Sequence, residues 1–206
     1  MEKIINYIES AKPELIIFDC DGTLMDTLWA HYKAWNTTFT HFKHSFISEY
    51  EFMNTYKGMN GAELINTISI LNKFNPQTNE MIAMKNSIFE NDYAHQVKPF
   101  ADMISIINRY YNKTLMTIAS NGCRESVITM LKHNNLDHVF KLIVAIEDVV
   151  YGKPKPDMFL LSANKLNVSN NKCLILEDSE HGFIAANSAN MQFIDVTQYR
   201  SCNVNT

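Results

Sequence analysis

Residues 18–27 read FDCDGTLMDT and follow directly on the apolar run Leu15, Ile16 and Ile17. A strand turns residues i and i+2 to one side, so Asp19 and Asp21 can serve one site together. Two carboxylates that close repel each other unless a cation or a shared proton lies between them. Cys20, between the two, faces the other way and reads as a small packed residue rather than a reactive thiol. Gly22 permits the tight reversal that aims Asp21 back at the site. The stretch therefore implies a cation held at the end of a short buried strand.

The surrounding chain has 206 residues, 46% of them hydrophobic and 19% charged, enough for one sizeable core or a core carrying an inserted domain. A net charge of −4 with no basic block argues against a nucleic-acid or anionic-membrane surface, while a locally positive site for an anionic substrate remains compatible with it. Cys20, Cys123, Cys173 and Cys202 are scattered, without zinc-type spacing or a disulfide framework, and suit a reducing compartment. The first residues, MEKIINYIESAKPE, are too charged for a signal peptide, and no apolar run approaches the length of a membrane span. A cytoplasmic protein, a monomer or weak dimer, is expected.

From Lys98 onward helical and strand patterns alternate. ADMISIINRYY, ESVITMLKHN, PDMFLLSANKL and HGFIAANSAN read as helices, and TLMTIAS, KLIVAI, CLILED and MQFIDV as strands. The alternation predicts an α/β, Rossmann-like parallel sheet covered on both faces, with ELIIF as a further strand. One interval breaks the rhythm: Asp19 and Ser120 lie 101 positions apart, whereas a strand-helix-strand unit takes about 30 residues or a little more. Within it Leu28, Tyr32, Trp35, Phe39 and Phe42 form one helical stripe, Leu64, Ile65, Ile68 and Leu71 a second, and Met81, Met84 and Ile88 a third. Residues 30–95 are accordingly expected to form an inserted α-helical cap on a core of residues 1–29 and 96–206.

Open parallel sheets place ligands beyond the carboxyl ends of their strands. Four places qualify: Asp19 and Asp21, then Ser120-Asn121-Gly122, then Lys153, then Glu177-Asp178. Each alone has a plainer reading, as a turn, a solvated lysine or the acidic start of a helix. At successive strand ends they combine into a nucleophile, a cation site and a grip for an oxyanion.

FDCDGTLMDT, IASNG, GKPKPD and LEDSEHG, in that order, resemble the four motifs of the haloacid dehalogenase-like superfamily, in its branch of phosphatases and phosphomutases with a helical cap after the first motif. The resemblance implies that Asp19 is the nucleophile that takes up a phosphoryl group, and Asp21 the acid and then the base. It implies that Ser120, the Asn121 amide and Lys153 hold the phosphoryl oxygens, helped by a helix beginning near Arg124. It further implies magnesium on Asp19, the Asp21 carbonyl, Asp178 and, directly or through water, Glu177. The expected substrate is a small phosphorylated metabolite, a sugar or polyol phosphate.

The inserted segment bears on hydrolysis against mutase chemistry. DTLWAHYKAW, with His31 and Trp35, looks like the segment shared by beta-phosphoglucomutases and related sugar phosphatases, and a packed cap histidine is the alternative reading of His31. YKGMNGAEL resembles the mutase cap segment, yet Gly61 stands where that enzyme carries a phosphate-binding arginine. A mutase must grip a second phosphate, for which an arginine fork is well suited. Hydrolysis is favoured, with His31, Trp35, Lys57 and Asn60 as candidate substrate contacts and a phosphomutase as the alternative.

Overall fold

A computed structural model describes residues 2–200; Cys202 lies outside the described residues. The strands β1 (Leu15–Phe18), β2 (Leu115–Ala119), β3 (Leu142–Val144), β4 (Cys173–Glu177) and β5 (Gln192–Asp195) form one parallel sheet in the order β3-β2-β1-β4-β5. Each is a short run of aliphatic residues, as expected of strands buried on both faces. Phe18 is in register with Ile118 and Leu176, so the next residues, Asp19, Ala119-Ser120 and Glu177, emerge together at the carboxyl edge.

The alternation of side chains divides the core. Ile16, Phe18, Met116, Ile118, Leu174 and Leu176 point to one face. There they meet α1 (Glu2–Ala11), α6 (Ala101–Tyr110) and α7 (Arg124–His133). Leu15, Ile17, Val144 and Ile175 point to the other, against α8 (Asp157–Lys165) and α9 (Glu180–Ser188). Helix α1 was not anticipated from the sequence; its Ile4 and Ile8, one turn apart, lock it onto the first face.

Between β1 and α6 the chain forms α2 (Leu28–His41), the short α3 (Glu49–Glu51) with a π-turn after it, α4 (Gly61–Asn72) and α5 (Thr78–Ile88). Trp35, Phe39, Phe52, Leu64, Ile65, Ile68 and Met81 make a separate apolar cluster there. Leu71 departs from its expected place in that stripe and is exposed. Ala30, Ala34 and Phe89 instead join the cluster on the first sheet face, so the helices lean directly on the core. The two crossings pair as a ribbon: Asp26 N donates to Lys98 O at 2.9 Å and Phe100 N to Leu24 O at 3.0 Å.

Candidate active site

Asp19 begins where β1 stops, its amide donating to Leu176 O at 3.0 Å. Its Oδ1 lies 2.6 Å from Lys153 Nζ, while its Oδ2 accepts no hydrogen bond among the described residues. Lys153 also reaches Glu177 Oε1 at 2.7 Å. Burial works against the Lys153 charge, but Asp19 and Glu177 outweigh it and hold the ammonium above its ordinary range. Burial and then the Glu177 charge push the Asp19 carboxyl well up, with Lys153 opposing. A site that resists the negative charge of its own aspartate is one that more positive charge would complete.

Carboxylate oxygens of Asp19, Glu177 and Asp178 lie within 4.8 Å of one another, and all three residues are buried. Hard oxygen donors converging in this way fit a magnesium ion. They are not equivalent. Glu177 Oε2 accepts from the amides of Asp178 and Ser179 at 2.7 and 2.8 Å and from Ser179 Oγ at 3.0 Å. With Lys153 on its other oxygen, both Glu177 oxygens already accept hydrogen bonds, which favours contact with a cation through water. Asp178 accepts Thr23 Oγ1 on Oδ1 at 3.1 Å and Lys57 Nζ on Oδ2 at 3.0 Å. Burial and then Glu177 raise its carboxyl.

Two glycines are required by this crowding. Gly22 has φ +84, and a Cβ there would stand 2.7 Å from Asp178 Oδ2. At Gly182, in the first turn of α9, a Cβ would lie 1.9 Å from Glu177 Cδ.

Asp21 faces the inserted helices. His31 Nε2 is 2.9 Å from its Oδ1, and Ser120 Oγ is 3.1 Å from its Oδ2. A carboxylate only accepts, so Nε2 carries the proton. Burial favours the neutral acid, but His31, then Lys85, hold the Asp21 carboxyl well below the usual range. Burial and the Lys85 charge in turn lower His31, which also stacks on Phe89 at 4.3 Å between ring centroids.

Sequence reading missed Lys85. It is buried in the insertion, 5.0 Å from the Phe89 ring and 5.7 Å from Trp35, with no carboxylate in ion-pair contact among the described residues. Burial lowers its ammonium. It and His31 line a cavity of about 370 Å³ above Asp19, with Trp35, Tyr56, Asn86 and Glu147 among the other walls.

Several candidates have partners that the sequence does not show. Asn60 caps α4, its Oδ1 accepting from Glu63 N at 3.0 Å, although it borders the cavity. The Asn121 side chain ties two loops, donating to Gly58 O at 3.0 Å and Lys153 O at 3.1 Å. Lys57 docks on the core rather than on open space, donating also to Asp178 O at 2.8 Å. The first amide of α7, at Arg124, faces the Glu147 carboxylate at 3.1 Å, so this helix end is already occupied by an acid. Gly61 packs on Trp35, leaving 3.3 Å between its Cβ position and the indole.

A parallel sheet with a strand-end aspartate, a buried lysine and two further acids at its carboxyl edge can support nucleophilic chemistry beside a bound cation. The haloacid dehalogenase-like hydrolase family matches residues 16–196, and the chain belongs to it. Among its relatives, fructose-1-phosphate phosphatase YqaB of Escherichia coli is 27% identical over 88% of this chain and 95% of its own length. Beta-phosphoglucomutase of Bacillus subtilis is 28% identical over 89% of this chain and 83% of its own. The structure of CbbY from Rhodobacter sphaeroides in complex with phosphate has the same fold, with a TM-score of 0.80 at 24% identity over 88% of this chain and 84% of that one. Within the family the chain is a phosphatase-type enzyme, a phosphoric monoester hydrolase. No described helix is long and apolar enough to cross a membrane.

Proposed function

We propose that this enzyme is a magnesium-dependent phosphatase of small sugar or polyol phosphates, working through an aspartyl-phosphate on Asp19. The observation that carries the reading is Asp19 itself: one oxygen is anchored by Lys153 at 2.6 Å, and the other is left without a hydrogen bond beneath the cavity. Asp19 and Asp178 would hold the cation directly, with the Asp21 carbonyl, and Glu177 would support it. When bound, the ion neutralises the carboxylates and the phosphoryl charge.

The free Asp19 oxygen attacks phosphorus, the ester P–O bond breaks, and the leaving oxygen takes a proton from Asp21. Asp21, now a carboxylate, removes a proton from water, which attacks phosphorus and releases phosphate and Asp19. Lys153, Ser120 Oγ and the Asn121 amide stabilise the phosphoryl oxygens. The contact with His31 favours the carboxylate of Asp21, so it suits the second half-reaction, and protonation of Asp21 requires that contact to loosen. Residues 30–95 act as the cap over a core of 1–29 and 96–206, and the apolar wall around Trp35, with the His31 imidazole and the Lys85 ammonium, chooses the leaving group. A cytoplasmic setting is consistent with Cys20, Cys123 and Cys173 being free thiols.

The likeness to a beta-phosphoglucomutase supports a phosphomutase as second reading. Gly61, packed on Trp35 with no arginine for a second phosphate, weighs for transfer to water. Screening purified protein against phosphate esters with magnesium or with chelator, beside a bisphosphate-primed mutase assay, tests both. Sugar phosphates hydrolysed only with magnesium support the proposal; turnover that survives chelation, or mutase activity exceeding hydrolysis, refutes it.

A further inference from the structure

Arg200 lies far from every motif in the sequence, yet its guanidinium joins both crossings between the sheet and the inserted helices. It follows a short 3-10 turn, Val196–Tyr199, after β5. Its Nη1 donates to Gly22 O and its Nη2 to Thr23 O, both at 2.5 Å. Its Nε donates to Asp102 Oδ2 at 2.9 Å, in the first turn of α6, and its Cζ lies 3.7 Å from the centroid of the Phe100 ring. Gly22 and Thr23 begin the outgoing crossing and Phe100 and Asp102 end the returning one. One side chain, 20% exposed, therefore clamps the core ends of both.

The clamped turn is also the one that sets the site. Gly22 follows Asp21 directly, and Thr23 donates to Asp178 at 3.1 Å. Carbonyls at buried Gly22 and Thr23 need partners, and Arg200 provides them. A planar group with five fixed donors can span two carbonyls and a carboxylate, which a lysine cannot.

We propose that Arg200 is a positioning residue: it pins the turn after the Asp19/Asp21 pair to the root of the returning crossing, so that the inserted helices move without displacing Asp21 and Asp178. Its kinetic consequence rests on the phosphatase reading. Its structural consequence does not.

The test compares Arg200→Ala and Arg200→Lys with the unaltered full chain. Below the unfolding temperature of each variant, kcat on a hydrolysed phosphate ester should fall about ten- to hundredfold in both, as for a small misplacement of reacting groups, with KM changed less than about threefold. Methylguanidinium should restore part of the Arg200→Ala loss. Amide exchange at Met25, Asp26 and Phe100 should speed up in both variants, while exchange in β4 stays unchanged. Full activity in Arg200→Lys, or unaltered exchange at those amides, overturns the proposal. If the unaltered enzyme cleaves no phosphate ester, the phosphatase reading fails, and amide exchange alone decides the role of Arg200.

Discussion

Asp21, just past the end of β1, and His31, on the first inserted helix, share a hydrogen bond of 2.9 Å, so the two parts of the molecule meet at the group proposed as acid and base. Burial and then Lys85 depress the His31 pKa from its ordinary 6.5. The native state thus binds fewer protons than the unfolded chain between the lowered value and 6.5. Stability from this residue is present above pH 6.5 and is lost as pH falls through the lowered value. His31→Asn should flatten that part of the curve. Tm measured from pH 8 down to about pH 5, the span over which a histidine of ordinary or lowered pKa titrates, should decline more steeply for the unaltered protein than for the variant; parallel curves would mean that His31 does not titrate against folding.

Lys57 places its ammonium 3.0 Å from Asp178 Oδ2, where a bound cation would compete with it. Lys57→Met removes that competitor and should tighten magnesium binding about three- to tenfold, an effect of one like charge at close range. Lys57→Arg should not. Calorimetric titration of the two variants is the check, and weaker binding in Lys57→Met would show that the lysine supports the site.

The sheet and the four strand-end motifs were legible because strands buried on both faces read as aliphatic runs and their chemistry lies one or two residues past each run. What lay between chain-distant residues was not. Lys85 in MIAMKNSIF looks like any surface lysine between apolar positions, and only the packing of Trp35 and Phe89 shows it buried. Glu147 is exposed just past the third strand, as its position in the sequence suggests, but only the fold shows its carboxylate against the first amide of α7. Asn60 and Asn121 both line the cavity, but only the fold shows their side chains committed to a helix cap and a loop tie, with the Asn121 amide remaining the group expected at the phosphoryl oxygens. Leu71 shows the limit of periodicity: it continues a helical stripe, yet near the end of α4 it is exposed while Ser69 in the same turn is buried.

Glu177 has no room to move, since a Cβ at residue 182 would lie 1.9 Å from its Cδ. Gly182→Ala should therefore cost about 1–3 kcal/mol, as overpacking does, and weaken magnesium binding in the fraction that folds. Thermal unfolding with and without magnesium measures both. An alanine variant of unchanged Tm and unchanged response to the ion would mean that α9 shifts freely and does not hold Glu177.

The central claim is that Asp19 carries the phosphoryl group between ester and water. The direct measurement is rapid acid quench during the first turnover of a substrate found by screening, followed by mass spectrometry of the peptide that spans the first strand. Asp21→Asn, which should slow turnover roughly 10²- to 10⁴-fold by loss of a positioned acid and base, is run in parallel with an activated aryl phosphate to let the intermediate accumulate. The expected result is one phosphoryl group on Asp19 in the unaltered enzyme and in Asp21→Asn, and none in Asp19→Asn. Product formed in the first turnover with Asp19 unmodified, or a phosphoryl group on any other residue, would contradict it.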